Sequence, residues 1–254
     1  MTPKQQAQHI VRWIKGYVCE HKIKTLVVGV SGGIDSAVVS TLCAQTGLPT
    51  VAVSMPIKQS QATHDLSQQH CEWLISNYDN VSVYTVDLTP TFRQFEEATA
   101  EFDNELASAN SRSRLRMMCL YQIAQSHGGI VVGTGNRVED FGVGFFTKYG
   151  DGGVDISPIG DCMKTEVWAM GRVLGVPENI ITAAPTDGLW ADGRTDEQQL
   201  GMTYPELERA MLQHEGVLFA DSLEDQEKLN RFLSIRKRNL HKMKPIPVCE
   251  IPKS

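Results

Sequence analysis

The sequence has no C-x-x-C pair and no apolar run approaching the ~18 residues needed to cross a bilayer. Its six cysteines stand apart at 19, 43, 71, 119, 162 and 249, mostly inside apolar runs. That scatter argues against a structural zinc site and reads as buried core thiols in a reducing cytoplasm. A basic excess is also missing: 24 lysines and arginines face 30 acids, for a net charge of −6. General nucleic-acid or membrane-surface binding is therefore not expected. The first residues, MTPKQQAQHIVRWIKGYVCEHK, are polar and amphipathic and do not read as a signal peptide. No repeat, low-complexity tract or flexible linker interrupts the chain. At 41% hydrophobic and 21% charged, residues 1–254 are expected to form one globular domain.

What is present is organised around Val27-Val28-Gly29-Val30-Ser31-Gly32-Gly33-Ile34-Asp35-Ser36. Thr25 to Val30 reads as a short buried strand. Ser31-Gly32-Gly33 makes a turn whose backbone can approach a ligand closely, and a helical pattern opens at Asp35. Amide N–H groups and the positive end of a helix then face the turn, which is one way to cradle phosphate. The common phosphate loop carries a lysine after its glycines. Here an acid stands instead. An acid beside a phosphate nest is repulsive unless a cation lies between, so Asp35 reads as a Mg²⁺ ligand bridging to phosphate oxygens. The same residues also fit an ordinary strand–turn–helix with a capping aspartate.

Residues 4–21 are predicted helical, with Ile10, Val11, Ile14 and Val18 on one stripe. Further helices are expected over about 35–46, 62–77, 90–98 and 109–127, and strands over 50–55, 81–86 and 130–133. This alternation predicts an α/β fold, a doubly wound parallel sheet flanked by helices. Ligands of such sheets sit beyond the carboxyl ends of the strands, where strand order switches. Segments 31–36, 56–59 and 134–139 fall at those ends.

In Asn110-Ser111-Arg112-Ser113-Arg114-Leu115-Arg116-Met117, Arg112 and Arg116 share a helical face and Arg114 points elsewhere. That suits an anion at a helix start, or a solvated basic turn. Gly133-Thr134-Gly135 is a second close-approach turn, and Glu139 after it is either a second metal carboxylate or a surface acid. The stretch Gly142 to Gly153, GVGFFTKYGDGG, predicts a loop rather than a regular element. Lys164 opens a helix with Val167, Met170, Val173 and Leu174 inward; its charge there opposes the dipole, through an anion partner or simple exposure. Thr186 offers a phosphate donor or a plain turn. The basic run Arg236 to Lys244 reads as a solvated helix end or a lid over a phosphorylated substrate.

Ser-Gly-Gly-x-Asp-Ser resembles the loop of the ATP pyrophosphatases, which split ATP between its α and β phosphates. It is joined, in order, by Asn110…Arg114…Met117, Gly133-Thr134…Glu139, Phe146 to Gly153, Asp155…Pro158…Lys164 and Pro185-Thr186. On these motifs, over about residues 25 to 200, the chain resembles the ammonia-dependent NAD synthetases, with a weaker echo at His241-Lys242. The resemblance implies an adenine nucleotide alpha hydrolase-like, Rossmann-like fold. It implies ATP-dependent amidation of deamido-NAD through an adenylated carboxylate, releasing AMP and pyrophosphate. It further implies that Gly29, Val30, Ser31, Gly32, Gly33, Ile34, Asp35, Ser36, Thr134, Lys164 and Thr186 bind ATP. Asp35 and Glu139 would hold Mg²⁺, and Arg114, Lys148, Asp155, His241 and Lys242 would hold deamido-NAD. Asp35, Lys164 and Asp155 are the expected catalytic residues, with Asp155 the candidate base for ammonium.

A homodimer with the dinucleotide site at its interface is also implied. One residue more than in the family separates Glu139 from Phe146-Thr147-Lys148, which leaves Asn136 and Asp140 to Gly144 without an assigned role. A chain of this length has no room for a glutamine-hydrolysing domain of family size, so free ammonia is the expected nitrogen source. Two rivals remain. Another ATP pyrophosphatase, amidating or tRNA-modifying, would need a basic RNA surface or, for thiolation, paired cysteines. A nucleotide-binding regulator without turnover has no need of two metal acids.

Overall fold

The computed structural model describes residues 1–58, 61–186 and 193–252. Four parallel strands pair in one sheet: β1 (Leu26–Gly29), β2 (Thr50–Ser54), β3 (Val81–Thr85) and β4 (Ile130–Val131). Their order is β3-β2-β1-β4. The chain runs outward from β1 to β3 and then returns to the other side of β1. Strand order therefore switches between β1 and β4, where an open α/β sheet forms its crevice. The doubly wound fold expected from the alternation is the one observed.

Helices α1 (Pro3–His21), α2 (Ile34–Gln45) and α6 (Lys164–Leu174) cover one face, where Leu26 and Val28 join Ile14, Val38, Leu42, Val167 and Met170 in a buried cluster. On the other face, α4 (Thr89–Ala98) and α5 (Glu105–Ser126) bring Phe92, Met117 and Leu120 to Val27, Val53 and Val131. β1 and β2 are thus buried on both sides, which is why they read as unbroken apolar runs. Helix α3 (Gln61–Asn77) adds Cys71 and Leu74 beside Ala52 and Val81. The short helix α7 (Glu178–Ile181) adds Ile180 and Ile181 to the cluster under α1, α2 and α6. A further layer is built from a π-helical turn (Arg137–Val143), the short helix α8 (Asp196–Leu200), α9 (Tyr204–His214) and α10 (Leu223–Met243). Its core gathers Val138, Val143, Leu207, Met211, Phe232 and Ile235.

Several boundaries differ from the sequence reading. Helix α5 begins four residues earlier than expected, because Asn104 caps it by accepting from Ala107 N at 2.9 Å. Arg112, Arg114 and Arg116 consequently lie within the helix, not at its start. Strand β4 is two residues shorter, because beyond Val131 the chain pairs with another segment: Val132 bridges Ile156, and Gly133 N donates to Ile156 O. Val173 points outward; α6 buries Lys164, Val167, Met170 and Gly171 instead. The loop expected from Gly142 onward contains the end of the π-helical turn. Of the cysteines, Cys43, Cys71 and Cys162 are buried, Cys119 is partly so, and Cys19 and Cys249 are exposed.

His70 on α3 is fully buried, with Nε2 2.8 Å from Ser40 Oγ and no partner for Nδ1 among the described residues. Burial lowers its pKa to about 4, although a backbone contact at Ala37 favours the charged form. The unfolded chain therefore takes up a proton near pH 6.5 that the folded chain refuses until about pH 4. Stability contributed by this histidine is whole above pH 6.5 and falls as the pH drops toward 4. Urea unfolding at pH 6.5 and pH 5 should show a loss of about 2 kcal/mol from this group. His70→Gln should flatten that part of the profile; an unchanged slope would contradict the assignment.

Candidate functional site

Beyond β1 the chain passes Val30 into a tight turn. Gly32 sits at φ 91°, a backbone geometry that side chains disfavour. Ser31 Oγ accepts from Gly33 N at 3.2 Å and lies 3.1 Å from Ser36 Oγ, tying the turn to the start of α2. Gly33 is the N-cap of α2 and supplies no capping side chain. The first bond inside the helix runs from Ala37 N to Gly33 O. The amides of Ile34, Asp35 and Ser36 thus precede the ladder and face out of the helix end.

Across the switch point, β4 leads into Gly133-Thr134-Gly135. At Gly135 a Cβ would lie 1.8 Å from Asp140 Oδ2, so a side chain there would displace the Asp140 carboxylate. Asn136 is fully buried; its Oδ1 accepts from Glu139 N at 3.1 Å and its Nδ2 donates to Asp35 Oδ1 at 3.2 Å. One amide side chain therefore joins the loop after β1 to the loop after β4. Lys164 enters from α6 with only 2% of its side chain exposed. Its Nζ lies 2.5 Å from Asp35 Oδ2 and 2.9 Å from Glu139 Oε1. Tyr204, at the start of α9 and fully buried, donates to Glu139 Oε1 at 2.5 Å.

Burial raises the pKa of Asp35, with Lys164 opposing and Glu139 adding to the rise. Burial also disfavours the Glu139 carboxylate, but Lys164, Tyr204 and Asn136 outweigh it and hold its pKa below the usual value. The buried ammonium of Lys164 would be lost without its two carboxylates; with them its pKa stands above that of a free lysine. Among the described residues no group of three or more His, Cys, Asp or Glu converges as a metal site. Two carboxylates are nevertheless what Mg²⁺ takes, since it keeps several waters and completes its shell with phosphate oxygens. Asp35 and Glu139, already sharing one cation, fit that donor set.

A second group of contacts fastens the glycine-rich loop to α5 and α10. Ser113 Oγ donates to Asp151 Oδ1 at 2.6 Å, and Thr147 Oγ1 donates to Asn110 Oδ1 at 2.7 Å. Arg114 Nε donates to Lys148 O at 3.2 Å, so these two residues are neighbours as expected. Lys242 Nζ donates to Phe146 O at 2.7 Å and lies 5.0 Å from the centre of that ring. Between the two groups stands Asp140, half-buried, its pKa raised well above the usual value by burial and then by Asp151, Glu139 and Asp35.

Other expected residues lie apart from these contacts. The Asp155 carboxylate accepts from Val131 N at 2.8 Å and from Tyr121 Oη at 3.1 Å. Thr186 Oγ1 donates to Arg194 O at 3.2 Å, and Thr134 is half-buried. His241 is exposed, with Nδ1 3.2 Å from Arg238 O.

The family model for NAD synthase matches residues 6–246. The chain belongs to the NAD synthase family. It is 39% identical to the NH(3)-dependent NAD(+) synthetase of Carboxydothermus hydrogenoformans over 219 residues, covering 84% of this chain and 87% of the relative. Among solved structures, the NMN synthetase of Francisella tularensis superposes with a TM-score of 0.88 at 34% identity, covering 99% and 100% of the two chains. The NH3-dependent NAD synthetase of Campylobacter jejuni shares the fold, with a TM-score of 0.80 at 24% identity over 98% and 100%.

Within this NAD synthase fold, Asn136 and Tyr204 are site residues that sequence reasoning did not find. Asn136 left a signal: an asparagine three residues before Glu139 is a helix-cap pattern. Tyr204 left none, since Thr203-Tyr204-Pro205-Glu206 reads simply as a helix start. Lys164 was expected as an exposed residue or an anion partner, and its anions are the protein's own carboxylates. Lys164→Met should lower the unfolding free energy by about 3–5 kcal/mol, the usual cost of removing one member of a buried ion pair. A urea-unfolding difference below about 1 kcal/mol would mean that the bridge behaves like a surface pair.

Proposed function

We infer that the chain catalyses ATP-dependent amidation of deamido-NAD with ammonia, releasing AMP and pyrophosphate. The observation that carries this reading is the convergence of Asp35 and Glu139, from two strand ends, on one buried ammonium beside the open end of α2. Membership of the NAD synthase family and the ammonia-dependent relatives support it.

A carboxylate is a poor electrophile and must be activated before ammonia attacks. Attack of the substrate carboxylate on the α-phosphate breaks the α–β bond, giving an acyl-adenylate and pyrophosphate. Ammonia then displaces AMP from the acyl carbon and sheds a proton. In this reading the amides of Ile34, Asp35 and Ser36 hold phosphate oxygens at the end of α2. Lys164 places a fixed positive charge where the phosphate negative charge grows. Asp35 and Glu139 would hold Mg²⁺, which when bound neutralises the polyphosphate. Arg114, Lys148, Asp155, His241 and Lys242 remain the residues assigned to deamido-NAD, and Thr134 and Thr186 to ATP. Asp155 is a weak candidate base, since both its oxygens already accept hydrogen bonds. Catalysis then rests on positioning and electrostatics.

The NAD synthase unit is taken to be a single functional domain spanning 1–254, placed in the cytoplasm on the strength of six free thiols. No helix among the described residues is long and apolar enough to cross a membrane. A homodimer is the expected assembly. Phe95, Phe102, Leu106 and Met118, on and between α4 and α5, are exposed apolar side chains that such an assembly would cover. Light scattering at the monomer mass would contradict that assembly.

A second reading, amidation at the mononucleotide level, is favoured by one observation: the Francisella structure is described as an NMN synthetase and matches at 34% identity over nearly the whole chain. Pyrophosphate release with ATP, Mg²⁺ and ammonium, measured separately with deamido-NAD and with nicotinic acid mononucleotide, decides between them. Faster turnover of deamido-NAD is expected; preference for the mononucleotide transfers the assignment, and release with neither sinks both. Glutamine in place of ammonium should give no product. Asp35→Ala should abolish turnover, and retained activity would remove its metal role.

A further inference from the structure

We propose that Tyr204 is the positioning residue that holds Glu139 in place to receive a divalent cation, through its hydroxyl rather than its bulk. The inference rests on the reading of Asp35 and Glu139 as metal ligands. Three observations carry it. The phenol donates to Glu139 Oε1 at 2.5 Å, the same oxygen that receives Lys164 Nζ at 2.9 Å. The ring lies under that ammonium, its centroid 4.8 Å from Nζ, so one side chain steadies both the carboxylate and its counter-charge. Tyr204 is itself immobilised. It is fully buried, its ring meets Trp168 edge-on at 5.6 Å, and its amide donates to Glu197 Oε1 at 2.9 Å.

Packing alone does not explain a hydroxyl in this place. A phenylalanine of the same shape would fill the site and spare the chain a buried polar group, which is costly unless paired. The pairing is with Glu139 at 2.5 Å, and Asp196 Oδ2 lies farther, at 3.2 Å. Glu139 sits on a single π-helical turn capped by Asn136, whereas Tyr204 belongs to an eleven-residue helix capped by Thr203 and Glu206. The rigid element lends its geometry to the irregular one.

The test is Tyr204→Phe, read on the Mg²⁺ concentration giving half-maximal pyrophosphate release, on the KM for deamido-NAD, and on Mn²⁺ binding to the resting protein by electron paramagnetic resonance. The expected result is a roughly tenfold or greater rise in the Mg²⁺ requirement and a matching loss of Mn²⁺ affinity, the range typical of groups that orient metal ligands. The KM for deamido-NAD and the circular dichroism spectrum should not move. In a Glu139→Gln background the same substitution should add nothing further to the loss of Mn²⁺ affinity, because its target is gone. A Mg²⁺ requirement and Mn²⁺ affinity equal to wild type overturn the proposal, as does an equal loss in both backgrounds. If the phenylalanine chain does not fold, a fluorotyrosine at 204 keeps the ring and changes only the donor strength. A shift of more than twofold in Mn²⁺ affinity then supports the role, and none overturns it. Failure of the parent reading is separable, since it shows as wild-type protein without Mg²⁺-dependent pyrophosphate release.

Discussion

The structure depends on one buried positive charge. Lys164 Nζ lies within 2.9 Å of carboxylates from two different elements, α2 and the π-helical turn, and is almost wholly withdrawn from solvent. Such an ion is expensive to bury alone, and two carboxylates in one place repel each other; each cost is met only by the other. One ammonium against two carboxylates leaves a formal charge of −1, which would turn a polyphosphate away. A divalent cation held by Asp35 and Glu139, as proposed, would raise the sum to +1 and reverse the sign that a polyphosphate meets at the end of α2.

Nothing local produces this arrangement. Asp35 and Lys164 are 129 residues apart, Glu139 and Tyr204 are 65 apart, and each side chain comes from a different element. Sheet topology brings them together. Because β4 lies beside β1 rather than beyond β3, the turn that follows each strand opens on the same crevice. Helix α6 packs against α1 and α2 on one face, which brings its first residue to the mouth of that crevice. Asn136 then fixes the distance between the two turns by serving both. The site is a property of the finished fold, not of any one motif within it.

That division explains what the sequence made legible. The glycine turn was readable because close backbone approach restricts residue types locally, and Asp35 and Glu139 stood out because each follows such a turn at a strand end. The strands and most helices were readable from apolar periodicity. The burial of Lys164 was not, because a lysine at a helix start is ordinarily solvated and its partners lie far away in the chain. Tyr204 was hidden for the same reason, with its hydrogen-bond partner 65 residues away. The error at the start of α5 had a different origin: the helix was expected from about 109, and the bond from Ala107 N to Asn104 sets its start at Glu105.

The basic run on α10 meets two surroundings. Lys237, Arg238, His241 and Lys244 are exposed, as a solvated helix end would have them, while Arg236, Asn239 and Lys242 reach backbone carbonyls. Arg236 donates to Phe141 O and Gly142 O, Asn239 Nδ2 to Val143 O at 2.9 Å, and Lys242 Nζ to Phe146 O at 2.7 Å. The segment from Phe141 to Phe146 leaves a π-helical turn for a glycine-rich loop, so no regular ladder takes up these carbonyls. Side chains from a long, regular helix supply the missing donors. Helix α10 and the segment leading to Lys148 are thereby joined; burial lowers the pKa of Lys242, with Asp151 and Asp140 opposing the shift. A ligand that drew Lys242 toward itself would have to release the loop at Phe146 or carry it along.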